Sequence, residues 1–197
     1  MQHFLTQFCN HCGGAVERRV PDGDHLPRDI CPKCGNIQYR NPKVIVGIVP
    51  EWSDGRVLMC RRNIEPRRGL WTFPAGFLEM GETSAAGAAR EAREEALAEV
   101  EPRELLMVID VPYVSQLYMI YRGVLQADRF GPTLESSEVR LMAEDEIPWA
   151  DIAFPTIWHS LKHYYEDRRR GRYEIHTMQL TFPPRAPQRA EIAAGNV

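Results

Sequence analysis

The sequence predicts an α+β fold, helices packed on a central sheet, preceded by a small ribbon held by a metal ion. Three observations predict it. Two Cys-x-x-Cys pairs, Cys9/Cys12 and Cys31/Cys34, stand near the N-terminus. Beyond them, Lys43 to Val49 and Arg56 to Arg61 are strand-like runs on either side of Ser53-Asp54-Gly55, the pattern of a hairpin. Two further stretches, one opening near Thr83 or Ser84 and one from Pro155 to Arg169, have the spacing of helices.

The ribbon comes first, over residues 1–40. Eighteen residues separate the two cysteine pairs, within the range that marks a four-thiolate zinc site. Gly13 and Gly35 follow the pairs and allow a tight turn beneath a metal. Such a site is closed and tetrahedral, so it holds a fold and performs no chemistry. A unit this short cannot build a sufficient core alone, and bound Zn2+ supplies the missing stabilisation. Disulfides are the competing reading, but neighbours within Cys-x-x-Cys are poor structural partners. His11 reads as a bystander. Arg18 to Asp29, with Pro21-Asp22-Gly23-Asp24, reads as a hairpin loop. Its acids Asp22, Asp24 and Asp29 dilute Arg18, Arg19 and Arg28, which favours packing or a dimer contact over nucleic-acid binding.

Asn41-Pro42 marks the boundary to the second domain, residues 41–182. After the hairpin, whose Cys60 reads as a small buried hydrophobe, Asn63 to Gly69 is a loop. Leu70 to Ala75 then leads into the glycine at 76. Glu104 to Val111 and Leu117 to Leu125 read as strands, Gln126 to Ser137 as a polar loop, and Glu138 to Ala143 as another strand. Ile157, Leu161 and Tyr164 or Tyr165 give the second helix one apolar face, suited to covering a sheet. His159 and His163 are spaced i, i+4, but position 160 is serine, so a metalloprotease pattern is absent and both read as helix-surface residues. Arg168-Arg169-Arg170 reads as a solvated helix end that offsets the dipole. A last strand is expected within Tyr173 to Phe182, then a mobile tail over 183–197.

The chemistry concentrates between Gly76 and Ala98. Glu91, Glu94 and Glu95 fall at i, i+3 and i+4, on one helical face. Like charges so placed repel by roughly 0.2–0.5 kcal/mol per pair on an isolated helix. Mg2+ turns that liability into a site, because it is held by carboxylates together with substrate phosphates. Arg90, one turn before Glu94, can hold that carboxylate and relieve some of the crowding.

Gly76, then Glu82, then Arg90-Glu91-Ala92-Arg93-Glu94-Glu95 resembles the Nudix box, the signature of enzymes that hydrolyse nucleoside diphosphates linked to another group. One position departs: Leu97 stands where the family has glycine, so an altered helix exit with intact metal binding is expected. The resemblance implies an α/β/α sandwich around a mixed sheet. It implies Mg2+ or Mn2+ held by Glu91, Glu94, Glu95 and the backbone carbonyl of Ala75, with Glu95, Glu94, Arg90 and an acid acting as base in the catalytic set. In this family the base is either a box glutamate or an acid from a later loop. Glu135 and Glu138 are the loop candidates, and Glu138 is favoured because it abuts a strand. Arg61 and Arg62 could contact phosphates. Trp71, Phe77, Tyr113 and Tyr118 could stack on a base or flavin ring, although core packing explains most of them equally well.

The stretches NPKVIVGIVP, CRRNIEPRRGLWTFPAGFLEMGET and SSEVRLMAEDEIPW narrow the resemblance to the branch containing plant FAD and ADP-ribose pyrophosphatases. That implies cleavage of FAD to FMN and AMP, or of ADP-ribose to ribose 5-phosphate and AMP. NADH pyrophosphatases are the nearest competitor, but they carry an SQPWPFP stretch where this chain has Ser115-Gln116-Leu117-Tyr118. A non-catalytic regulator that senses a nucleotide or binds nucleic acid is the alternative of another class. It would have lost box glutamates, and this chain keeps them all.

Composition bounds the partners. Among 197 residues, 44% are hydrophobic and 26% charged, as in a globular protein with a real core. A net charge of −3 gives no electrostatic case for nucleic acid as the main partner. No stretch approaches a membrane span, and MQHFLTQFCNHC lacks the regions of a signal peptide. A cytoplasmic enzyme is expected, and the resemblance implies a homodimer.

Overall fold

The structure, a computed structural model, describes residues 7–181, so the tail expected over 183–197 lies outside the described residues. Between Asn41 and Pro42 the chain divides into two compact units.

The first unit is a three-stranded antiparallel sheet of β1 (Glu17–Arg19), β2 (Arg28–Ile30) and β3 (Ile37–Gln38). The expected hairpin loop is here as the β1–β2 pairing, with Arg18 opposite Asp29. Asp29 is buried, and Arg18 (3.2 Å) and Arg40 (2.9 Å) supply the opposite charge that a buried carboxylate requires. Among the described residues of this unit little else apolar is buried beyond Cys9, Ile30 and Cys31, a core too small to hold by apolar burial alone.

The second unit is built on an eight-stranded mixed sheet. Its strands are β4 (Lys43–Glu51), β5 (Val57–Arg62), β6 (Trp71–Thr72), β7 (Ala75–Phe77), β8 (Val100–Val111), β9 (Gln116–Leu125), β10 (Ser136–Met142) and β11 (His176–Gln179). The order is β10-β5-β4-β9-β8-β11, with β6 on β5 and β7 on β4. The β4–β9 and β8–β11 pairs are parallel; the others are antiparallel.

Helix α1 (Ser84–Ala96) covers one face and α2 (Pro155–Arg170) belongs to the core on the other. Strand periodicity separates the two cores. On β5, Leu58 and Cys60 join Ala88, Ala92 and Ala96 of α1, whereas Val57 and Met59 join Ile157, Leu161, Tyr164 and Tyr165 of α2. Three alanines at i, i+4 and i+8 keep α1 close to the sheet. Cys60 is fully buried and burial raises its pKa, so it is a packing residue as expected. Among the described residues no helix is long and apolar enough to cross a membrane.

Several expectations need correction. β8 starts at Val100 rather than Glu104, and the last strand shrinks to a four-residue parallel edge. The Leu70–Ala75 lead-in is two short strands, β6 and β7, with β7 continuing to Phe77. His163 is half-buried and stacks on His176 of β11, with ring centroids 4.2 Å apart, rather than standing free on the helix. Arg168 is not simply solvated, since its guanidinium donates to the Gly55 carbonyl. The exit of α1 is not altered either. Leu97 takes the left-handed conformation (φ 55°, ψ 24°) that glycine would take there, and its N–H donates to the Arg93 carbonyl at 3.0 Å.

Candidate functional site

Thr83 starts α1 by accepting the Ala86 N–H on its hydroxyl (3.2 Å), which fixes the phase of the helix. That phase turns Glu91 and Glu95 inward and leaves Glu94 exposed. Glu95 is anchored to the sheet, because the Ala75 N–H donates to its Oε2 at 3.1 Å. Glu91 lies behind Gly76, where a Cβ would come within 2.4 Å of its Oε2, so only glycine leaves that carboxylate its place.

Arg90 joins the acids into one network. Its guanidinium donates to Glu82 through Nε (3.1 Å) and Nη2 (2.8 Å), to Glu91 (2.7 Å), to Glu94 (2.8 Å) and to the Phe77 carbonyl (2.9 Å). The sequence suggested only the Glu94 contact. Arg90 draws Glu82 down to about 2, helped by the Glu79 N–H. The inward pair behaves oppositely. Burial pushes Glu95 up to about 8 and is opposed by the Ala75 N–H, while the carboxylates of Glu91 and Glu135 add to the rise. Burial likewise raises Glu91 against the pull of Arg90. Buried acids lifted in this way are suited to a hard divalent cation, which would hold them ionised. Glu91 and Glu95 are therefore residues that could hold one, with the exposed Glu94 beside them on the same helix.

Ala75 and Gly76 also border a cleft of about 460 Å³ on the second unit. Arg62, Arg67, Phe77, Tyr113 and Tyr118 line it, with Phe154 and Thr156 from the start of α2. Cations and aromatic rings around carboxylate-backed backbone make a site for a phosphorylated, ring-bearing ligand. Arg62 is oriented by the Pro66 carbonyl (2.9 Å) and by the Phe154 ring, 5.1 Å from its carbon centre.

Of the residues singled out from the sequence, the structure brings Arg62, Phe77, Tyr113 and Tyr118 to the cleft, and not Arg61 or Trp71. Arg61 donates to the Gly69 carbonyl (3.0 Å) and pairs with Glu138 (3.7 Å). Trp71 is buried in the α2-side core. Glu138 is not brought to the helix acids. Val139 and Leu141 pack against the α1-side core, so Glu138 points to the opposite face, beside Arg61 and Arg140. Glu135 is the loop acid whose charge reaches both Glu91 and Glu95. Arg67 and Gly87 escaped sequence reasoning. Gly87 carried a readable signal, since a glycine inside a helix costs about 1 kcal/mol against alanine. A Cβ there would lie 2.7 Å from Glu82 Oε1.

In the first unit the sulfurs of Cys9, Cys12, Cys31 and Cys34 all lie within 4.8 Å of one another. The Cys9–Cys34 and Cys12–Cys31 separations are 3.7 and 3.5 Å. A tetrahedron with zinc–sulfur bonds of about 2.3 Å has edges of roughly 3.8 Å, so the donor set fits that ion. The His11 N–H donates to the Cys9 sulfur (3.4 Å) and draws that thiol down, toward the thiolate a metal needs, whereas Cys34, though the Asn36 N–H pulls it down, is pushed up by the neighbouring thiols and by burial.

Comparison with known proteins agrees with both units. Residues 41–166 match the family described as NUDIX domain, and residues 7–40 match the family described as Nudix N-terminal, a zinc ribbon. A crystal structure of a NUDIX hydrolase from Nitrosomonas europaea superposes with a TM-score of 0.87 at 53% identity, covering 90% of this chain and all of that one. An NAD-capped RNA hydrolase NudC from Photobacterium profundum is 30% identical over 139 residues, 68% of this chain and 49% of its own length. A putative ADP-ribose pyrophosphatase YjhB from Bacillus subtilis is 30% identical over 122 residues, 58% of this chain and 56% of its own. The chain thus spans about half the length of the curated relatives it matches.

Proposed function

The chain belongs to the Nudix hydrolase family, and from that premise we propose that it hydrolyses the diphosphate of an ADP-linked small molecule, FAD or ADP-ribose. The observation that carries this reading is the placement of Glu91 and Glu95 behind Ala75 and Gly76, at the border of a cleft lined by arginines and aromatic rings.

Mg2+ or Mn2+ held by Glu91, Glu94, Glu95 and the Ala75 carbonyl would neutralise the phosphoryl oxygens and acidify a bound water. The chain's own groups do the rest. Arg90 fixes the carboxylates; Arg62 and Arg67 take phosphate oxygens; Phe77, Tyr113 and Tyr118 receive the ring. Glu135 accepts the proton of the attacking water, in place of Glu138. Attack at one phosphorus breaks the bridging P–O bond and releases AMP with a second phosphomonoester. In the ribbon, Zn2+ on the four thiolates is structural, and the enzyme works as a homodimer.

NADH is the second reading. The relatives named NAD-capped RNA hydrolases favour it, and the Ser115–Tyr118 stretch, which lacks the SQPWPFP expected of NADH pyrophosphatases, speaks against it. A panel of FAD, ADP-ribose, NADH and an NAD-capped RNA, assayed with Mg2+ and with Mn2+ and with products resolved, decides among these. AMP from FAD or ADP-ribose at the highest kcat/KM is the expected result. A preference for NADH or the capped RNA would replace it. Sedimentation at micromolar concentration tests the dimer.

A further inference from the structure

Resting on the reading of Glu135 as proton acceptor, we propose that Thr133 and Asn63 are positioning residues that clamp Glu135 beside the helix carboxylates. Glu135 ends the connection from β9 to β10, and an acid on a surface loop is ordinarily too mobile for work that tolerates about 0.5 Å of error. This loop is not free. The Thr133 hydroxyl donates to the Glu95 carbonyl at 3.2 Å and accepts the N–H groups of Glu135 and Ser136, each at 3.2 Å. One donor and two acceptor sites are thereby all used. The Thr133 N–H returns to the Ser136 carbonyl (2.8 Å), closing the turn.

Asn63 holds the other side. Its N–H donates to the Glu135 carbonyl at 2.7 Å, and its side-chain amide donates to the Leu134 carbonyl at 3.0 Å. Both polar groups of the Glu135 backbone are therefore pinned, the N–H by Thr133 and the carbonyl by Asn63. The helix gains too. Carbonyls in its last turn lack partners within the helix, and two of them, of Glu95 and Ala96, are taken by the Thr133 hydroxyl and the Gly131 N–H (2.8 Å). The peptide that carries one carboxylate of the site thus holds the loop that carries the acid whose charge is felt there. Asn63 also follows Arg62 directly, so the clamp reaches the cleft lining as well.

The test is a double-mutant cycle on the full chain with saturating Mg2+, using Thr133→Val and Glu135→Gln. Thr133→Val keeps the shape and removes the hydroxyl. It is expected to lower kcat about 10- to 100-fold, as a misplaced reacting group does, with KM within about twofold. In the Glu135→Gln background the same change is expected to cost nothing further. Thr133→Ser, which restores the hydroxyl, is expected to recover most of the rate. An equal loss in both backgrounds overturns the clamp while leaving Glu135 its role. Full activity in Glu135→Gln overturns the proton acceptor and the clamp with it. Should Thr133→Val fail to fold, Thr133→Ala, which also removes the hydroxyl but leaves room for water at the freed N–H groups, takes its place in the same cycle and distinguishes the same outcomes.

Discussion

The N–H of Ala75 donates to Glu95 Oε2 at 3.1 Å, so the residue proposed to lend its carbonyl to a cation is tied through its amide to a proposed ligand of that cation. The contact partly offsets the burial that lifts Glu95 to about 8 from the ordinary 4.5. A folded value above the unfolded one means that the protonated acid favours the fold. The advantage is complete below about 4.5 and is lost as pH rises through about 8. Each unit is worth about 1.4 kcal/mol, so the metal-free protein is expected to lose stability on the order of a few kcal/mol across that window. A cation needs the ionised form, so Mg2+ binding should release protons below pH 8 and tighten up to that pH. Melting temperatures from pH 5 to 9, with EDTA and with excess Mg2+, check both. Parallel curves for the two conditions would contradict the assignment.

Glu95→Gln separates the fold from the chemistry. The amide occupies the same volume, can still accept the Ala75 N–H, and removes the cost of a buried charge. The metal-free variant is expected to be at least as stable as the parent at pH 8. Its Mg2+-dependent AMP release should fall by at least about 10³-fold, the scale on which removing a strong electrostatic contributor acts. Undiminished release would remove Glu95 from the metal set.

Gly87→Ala sets two effects against each other. Alanine in the helix interior favours the helix by about 1 kcal/mol. Its Cβ, however, would lie 2.7 Å from Glu82 Oε1 and 3.1 Å from Leu78 Cδ1, so the Glu82 carboxylate must move and loosen Arg90. The expected outcome is a melting temperature within a few degrees of the parent and kcat lowered about tenfold or more, since Arg90 also holds Glu91 and Glu94. Calorimetry and steady-state rates read the two separately.

Much of this was legible in the sequence, for identifiable reasons. Helical period alone puts Glu91, Glu94 and Glu95 on one face, and cysteine spacing alone predicts four sulfurs around one point; both are local properties. What the sequence hid is set by register and sidedness. Glu138 is expected to begin a strand, but β10 already starts at Ser136, and a bulge between Ser136 and Glu138 and the strand's alternation turn Glu138 to the far face. Trp71 and Phe77 are equivalent as aromatics in sequence, and only the packing sends one to the core and the other to the cleft.

Metal removal from the ribbon should have a large and confined effect. Structural zinc on thiolates contributes on the order of 10–16 kcal/mol in small domains, far more than the apolar burial around Cys9, Ile30 and Cys31 provides. Chelation at high temperature, or Cys31→Ser, is expected to unfold residues 7–40 and expose the remaining ribbon thiols. Cys60, buried in the second unit, should stay unreactive until that unit unfolds. Thiol titration with a coloured disulfide reagent counts the exposed groups directly, and full protection after chelation would mean that no metal holds the ribbon.

Leu97 offers the last test, because its strain belongs to a position where glycine has no strain. A non-glycine residue in the left-handed region costs roughly 1–2 kcal/mol. Leu97 is 61% exposed, so little burial is returned for it. Leu97→Gly relieves the strain but adds freedom to the unfolded chain, which takes back about 0.4–1 kcal/mol. The difference favours glycine by about 0.5–1 kcal/mol, a rise of roughly 1–4 °C for a domain of this size. The helix exit is already the glycine type, so the phase of Glu91 and Glu95 does not change and kcat should stay within about twofold. A fall in melting temperature would mean that the exposed leucine side chain packs more productively than its exposure indicates.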